Sequence, residues 1–254
     1  GKTDIIITDY DDISNGAAHY YDNKIVISGR PLGFYYLRGS HRWLQNVITH
    51  EFTHIIQVGA SLKYSRHIPG TYFQLMSYAD ERREDVIYGF PDKIISYPVP
   101  NASNPLWFVE GTAQYMYDEA FFDYWDSMRD MILRDEVLNN NVLSFDAMNT
   151  FGKKGFGNEC VYNQGFSLVK YIVKNYGEDK LKDITKQLSK PFGYSIDRAI
   201  INTLGISGYD LYIQWISNLE TIYNEKLTNF EDINNYQVIE SEGTSNIHPK
   251  WSPS

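Results

Sequence analysis

Five consecutive residues, His50-Glu51-Phe52-Thr53-His54, set two imidazoles and a carboxylate at a spacing suited to metal chemistry. On a helix, residues four apart share a face, so His50 and His54 can hold one zinc ion (Zn2+), while Glu51, about 100° round the axis, reaches a water on it. That is an arrangement for metal-assisted hydrolysis: the cation polarises a carbonyl and the carboxylate moves a proton. Around the motif, Leu44, Val47, Ile48, Phe52, Ile55 and Ile56 recur at helical spacing and predict a buried ridge flanking the His face. Two imidazoles and a carboxylate within such an apolar helix are costly unless a metal or hydrogen bonds satisfy them.

A catalytic zinc takes three protein ligands and keeps one position open, so the two His need a partner. Gln57 and Ala60 stand where the Gly and third His of an extended motif would be, which sends the search farther along the chain. Glu81, Glu84 and Glu110 are the candidates, with Asp80 and Asp85 as outsiders. Glu81 and Glu84 already neighbour Arg82 and Arg83 in a cluster that reads as a solvated helix face. Glu110 is an isolated carboxylate in the apolar run Leu106 to Tyr115, where only a strong partner keeps it charged.

The elements that must position these groups follow from pattern. Asp4-Ile5-Ile6-Ile7-Thr8-Asp9 and Lys24-Ile25-Val26-Ile27-Ser28-Gly29 are short β-branched runs separated by the turn signal Ser14-Asn15-Gly16, so residues 4 to about 37 predict a small sheet. Ser40 suits the cap of a helix from His41 to about Val58 that stops at Gly59, with His41 at its surface end. One helix near 71 to 88 is expected next, then irregular chain through the Pro-containing stretch from Pro91 to Pro105. Pro105 opens a helix carrying Trp107, Glu110, Gln114 and Tyr117 on one side, and further helices are predicted near 119 to 138, 161 to 176, 179 to 189, 194 to 203 and 208 to 226. Ser207 to Asp210 reads as a capping box in its Asp form, with Gly177 and Gly205 as C-terminal stops. The fold class is therefore α+β: a small N-terminal sheet, a motif helix and a C-terminal helical lobe.

Two further segments carry a family resemblance. Trp107-x-x-Glu110-Gly111-x-Ala113 resembles the glutamate-ligand segment of the gluzincin metallopeptidases, the peptidase MA-like group related to aminopeptidase N-type enzymes. Tyr162-Asn163-Gln164-Gly165-Phe166-Ser167-Leu168 is similar to the family segment whose tyrosine stabilises the transition state. The three motifs occur in the family's order, and the resemblance runs from about residue 20 to 220. It implies a zincin-like fold, one zinc on His50, His54 and Glu110, Glu51 as general base and Tyr162 as oxyanion donor. It also implies a sheet edge that pairs with an extended peptide, for which Lys24 to Gly29, with Ile25, Val26 and Ile27, is the candidate strand. An Asp often follows the glutamate ligand by four residues and orients a zinc-bound imidazole; Gln114 stands there.

Two departures shift the expected activity. His54 and Glu110 are separated by 55 residues, longer than the aminopeptidase spacing, and no G-x-M-E-N segment for a free substrate amine occurs. Endopeptidase or another hydrolytic activity is expected in consequence, with a catalytically inactive, peptidase-like binding module as the alternative; Glu51 and Tyr162 weigh against that alternative. A structural zinc would want a fourth protein ligand and no base. Residues 1 to 228 read as the peptidase domain, divided into sheet and motif helix (1 to 102) and helical lobe (103 to 228). Residues 229 to 254 read as a linker, and Ser245 to Ser254 resemble the opening strand of a TolB-type β-propeller. That resemblance implies a C-terminal propeller and a secreted or periplasmic protein.

Composition closes off other classes. A net charge of -9 without a basic stripe argues against nucleic acid, and no apolar run approaches the length of a membrane span. A single cysteine, Cys160, excludes an internal disulfide framework and reads as a buried small hydrophobe. The aromatic stretch Tyr115 to Trp125 reads as core rather than as a substrate groove.

Overall fold

The computed structural model describes residues 2–10, 14–30, 42–78, 93–119 and 127–228. The first three elements are β1 (Asp4–Thr8), β2 (Gly16–His19) and β3 (Lys24–Ser28). They form one sheet in the order β1-β3-β2, parallel between β1 and β3 and antiparallel between β3 and β2. The strand expected at the edge is thus the middle one. Lys24 to Ser28 is hydrogen-bonded on both sides, and Ile25 and Ile27 are wholly buried, so Ile25, Val26 and Ile27 have no free ladder to offer a peptide. A β-branched run flanked by two partners is what an interior strand needs, and the outer positions fall to β1 and β2.

The motif helix α1 (Trp43–Ala60) lies against this sheet, and Val47 and Ile55 pack with Ile25 and Ile27. It runs past Gly59, and its C-terminal cap is Ser61, whose N–H donates to the Gln57 and Val58 carbonyls. Ser40 and His41 lie outside the described residues. Only part of the predicted ridge is buried: Leu44, Phe52 and Ile56 are exposed, because the sheet spans three strands and covers one flank of the helix.

Where a helix near 71 to 88 was expected, the chain forms a hairpin of β4 (Gly70–Ser77) and β5 (Lys93–Pro100). Tyr72, Phe73 and their neighbours favour extended backbone. Among the described residues both strands are edges, so Pro98 and Pro100 fit β5 without breaking a ladder. The charged cluster Asp80 to Asp85, and with it the rival ligands Glu81 and Glu84, lies outside the described residues.

The helical lobe follows as α2 (Leu106–Glu119), α3 (Ser127–Leu138), a 3-10 turn at Ala147–Asn149, α4 (Gly157–Tyr176), α5 (Asp179–Leu188), α6 (Ile196–Leu204) and α7 (Gly208–Leu227). The boundaries carry the expected chemistry. Ser207 Oγ accepts from the Asp210 N–H at 3.0 Å and donates to Asp210 Oδ2 at 2.6 Å, and Gly205 closes α6 in the left-handed region at φ 79°. One large core, built on Trp107, Phe108, Phe166, Leu168, Ile172, Leu211 and Trp215, holds the lobe together. Tyr115, at the start of the aromatic stretch, belongs to it; the side chains of residues 117 to 125 lie outside the described ones. Residues 229 to 254, with the propeller resemblance, lie outside the described residues.

Candidate metal centre

Five polar side chains of α1 turn inward. Asn46, Glu51, His54 and Gln57 are each less than one-tenth exposed, and the His50 side chain is 13% exposed. An apolar helix carries such a stripe only if something opposite answers it. The answer comes from α2. Gln57 Nε2 donates to the Phe108 carbonyl at 3.4 Å and to Thr112 Oγ1 at 3.2 Å, which pins one helix against the other. Between these contacts Glu110 faces the two histidines: its Oε2 lies 2.9 Å from His50 Nε2 and 3.4 Å from His54 Nε2.

Ligand atoms at about 2.0–2.1 Å from a tetrahedral zinc stand roughly 3.3 Å from one another. The two nitrogen–oxygen separations fall on either side of that figure. The donor set of two imidazole nitrogens and one carboxylate oxygen suits zinc, so these residues fit the ion that the motif implies. His50, Glu51 and His54 also present ligand atoms within 4.8 Å of one another, which leaves two carboxylates beside the imidazoles. Of the two, Glu110 is the one whose Oε2 contacts both Nε2 atoms.

Electrostatics agree with the geometry. Burial alone pushes the Glu110 carboxyl up, but hydrogen bonds and charge from His50 and His54 overcome it and hold the pKa down at about 2. Burial pulls His54 down, yet the hydrogen bond to Glu110 and the charges of Glu110 and Glu51 outweigh it and raise its pKa. The pocket therefore favours positive charge between its carboxylates. A divalent cation can supply that charge.

Tyr162 enters from α4. Its ring centroid is 6.2 Å from that of His50, and Phe151 stacks on it at 5.5 Å with 20° between the planes. The close crossing of α2 and α4 makes this possible. A Cβ added at Gly165 would stand 2.5 Å from the Trp107 carbonyl oxygen, and one at Gly111 would stand 2.9 Å from the Phe166 nitrogen and closer still to the Gly165 backbone. The two glycines let the helix backbones touch, which carries Tyr162 to the side of the Glu110 helix.

Gln114 is buried one turn on from Glu110, and its Oε1 has no hydrogen-bond partner; His54 Nδ1 is likewise buried without one. Cys160 is buried as expected, and desolvation together with the neighbouring Glu136 carboxylate pushes its thiol well up.

Two residues that matter here escaped the sequence reading. Gly16 opens β2 directly against α1: a Cβ there would lie 2.9 Å from Glu51 Oε1 and clash with Val47. Asn101 is fully buried. Its Oδ1 accepts from the Lys63 and Tyr64 N–H groups, and its Nδ2 donates to the carbonyls of Tyr64, Ser65 and Ile68. Gly16 carried only a turn signal, and Asn101 carried none. Comparison with family models, with curated proteins and with solved structures gives no match for this chain.

Proposed function

We propose that this chain is a zinc-dependent peptidase of the gluzincin type, acting as an endopeptidase, with His50, His54 and Glu110 holding the metal. The observation that carries this reading is the convergence of two Nε2 atoms on Glu110 Oε2, with Glu51 alongside. When bound, zinc would polarise the scissile carbonyl and acidify the attacking water. Glu51 accepts that water's proton and passes it to the departing amine. Tyr162 donates its phenolic hydrogen to the oxyanion that forms as the carbonyl is attacked.

An extended substrate pairs along the outer side of β2, since β3 is enclosed and Gly16 brings β2 beside Glu51. The zincin-like fold, the C-terminal propeller and a secreted or periplasmic location belong to the same proposal and stand on the sequence resemblances. No helix among the described residues is long and apolar enough to cross a membrane.

The test is metal analysis paired with cleavage of a mixed peptide library. One zinc per chain, loss of cleavage on chelation and recovery on adding zinc back are expected. Glu51→Gln should keep the metal and lose roughly 10²- to 10⁴-fold in kcat. Near-normal turnover by that variant would rule out Glu51 as the base. Full zinc affinity in Glu110→Ala would remove Glu110 from the ligand set.

A further inference from the structure

Phe151 is a large aromatic side chain left 38% exposed in the loop that leads into α4. That loop is not loosely held. Asn158, in the first turn of α4, turns its Oδ1 back to accept the Gly152 and Lys153 N–H groups at 3.1 and 3.0 Å, and Lys153 Nζ donates to the Thr150 carbonyl. The ring is thereby fixed against Tyr162, nearly parallel to it, while part of its surface faces solvent. The centroid separations of 6.2 Å from His50 to Tyr162 and 5.5 Å from Tyr162 to Phe151 put Phe151 no farther than about 12 Å from the His50 ring.

We infer that Phe151 is a specificity-determining residue: it forms an apolar wall beside the metal centre and selects peptides with an aromatic or large aliphatic side chain close to the scissile bond. The inference rests on the peptidase reading above. An extended chain advances about 3.3–3.6 Å per residue, so the wall lies within reach of side chains up to three residues from the bond cleaved. A wall built from a preoriented ring rewards an aromatic partner through offset stacking and area removed from water. Its own stack on Tyr162 also means that a bound side chain packs next to the phenol that would serve the oxyanion. In this position Phe151 acts on selection of the substrate and leaves the proton transfers to other residues.

Two metal-seeking probes test this without relying on turnover. Acetohydroxamic acid and 3-phenylpropanohydroxamic acid share one zinc-binding group and differ in the aromatic arm. Each is titrated calorimetrically into the zinc-loaded protein and into Phe151→Ala and Phe151→Tyr. The unsubstituted protein should bind the aromatic probe about tenfold tighter or more. Phe151→Ala should bring the two affinities within about threefold while leaving acetohydroxamic acid and zinc content unchanged, and Phe151→Tyr should keep the preference. Because Phe151 is partly exposed in a loop, the alanine variant should melt close to the parent, which keeps the comparison clean. In library cleavage, the same variant should lose its preference for bulky residues near the cut. Equal ratios of the two probes in parent and Phe151→Ala would overturn the inference and leave the metal site standing. No binding of acetohydroxamic acid to the zinc-loaded parent would overturn the metal reading and this inference with it.

Discussion

The crossing of α2 with α4 and the β4–β5 hairpin both come after the motif helix in the chain, and they are packed in opposite ways. At the crossing, Gly111 and Gly165 bring two backbones into contact, and Trp107, Phe108 and Phe166 are almost wholly buried around them. In the hairpin, Tyr72, Phe73, Leu75, Met76, Ile94, Ile95 and Tyr97 are all exposed by 44% or more. Directly opposite residues of an antiparallel pair share a face, so Phe73 with Tyr97 and Leu75 with Ile95 make an apolar stripe that faces solvent. The difference separates two jobs. Precision at the candidate metal centre comes from the crossing, where a small displacement of either helix moves Glu110 relative to Tyr162. Among the described residues the hairpin is secured at its base, where Asn101 gathers the 63–68 segment and the hydroxyls of Tyr64 and Tyr21 donate to the Val99 and Pro69 carbonyls.

The comparison can be broken most sharply at Tyr162. Tyr162→Phe removes one hydroxyl and keeps the ring between His50 and Phe151, so zinc content and melting temperature should hold while kcat falls by about 10² or more. An unchanged kcat would leave Tyr162 as packing and the oxyanion donor elsewhere. Next in size is the crossing itself. Gly165→Ala forces a methyl group to within 2.5 Å of the Trp107 carbonyl oxygen, and overpacking of this kind costs about 1–3 kcal/mol. The helices must separate to admit it, so activity should fall about tenfold or more. A variant as stable and as active as the parent would show that the crossing has slack, and its role in placing Tyr162 would be lost.

At the root of the hairpin the expected effect changes kind. Asn101→Ala strips five hydrogen bonds from a fully buried side chain and leaves the Tyr64 N–H without its acceptor. Stability should drop by about 2 kcal/mol, read from denaturant unfolding, while zinc affinity and kcat stay near the parent's below the transition. A large loss of zinc affinity in the folded variant would tie the hairpin's root to the metal centre and erase the division between the two regions.

Much of the crossing was legible in the sequence and little of the hairpin was, for physical reasons that differ. His50 and His54 announce themselves by local spacing, and Glu110 by its isolation in an apolar helix; periodicity and cap residues such as Ser207 and Gly205 then place the helices. Strand order is a long-range property. The run Lys24 to Ser28 looks the same whether it ends a sheet or sits inside one, so nothing local placed it between β1 and β2. Asn101 works through backbone groups more than 30 residues earlier, which no window around it contains. In the hairpin, Pro98 and Pro100 argued for irregular chain, and the two-stranded setting that tolerates them appears only once β4 and β5 are paired. Gly111 and Gly165 were visible as motif letters, but their reason, backbone contact between α2 and α4, became available only with the fold.

The smallest effect is expected on the hairpin's exposed face. Phe73 is 70% exposed and pairs across the ladder with Tyr97, so Phe73→Ser gives up one cross-strand contact and almost no buried area. Such a pair contributes about 0.2–1 kcal/mol, and the described strands of the hairpin add no side chain to either buried core. Unfolding should therefore shift by less than about 1 kcal/mol, and kcat and KM for peptides should remain within twofold of the parent. The polar residue should also make the protein more soluble, since it interrupts the stripe formed with Leu75, Ile95 and Tyr97. Steady-state kinetics decide the point. A tenfold rise in KM with kcat unchanged would mean that the stripe binds substrate directly. The hairpin would then belong with Phe151 and β2 as a third surface that reads the peptide, and the separation drawn between the two regions would hold for packing but not for function.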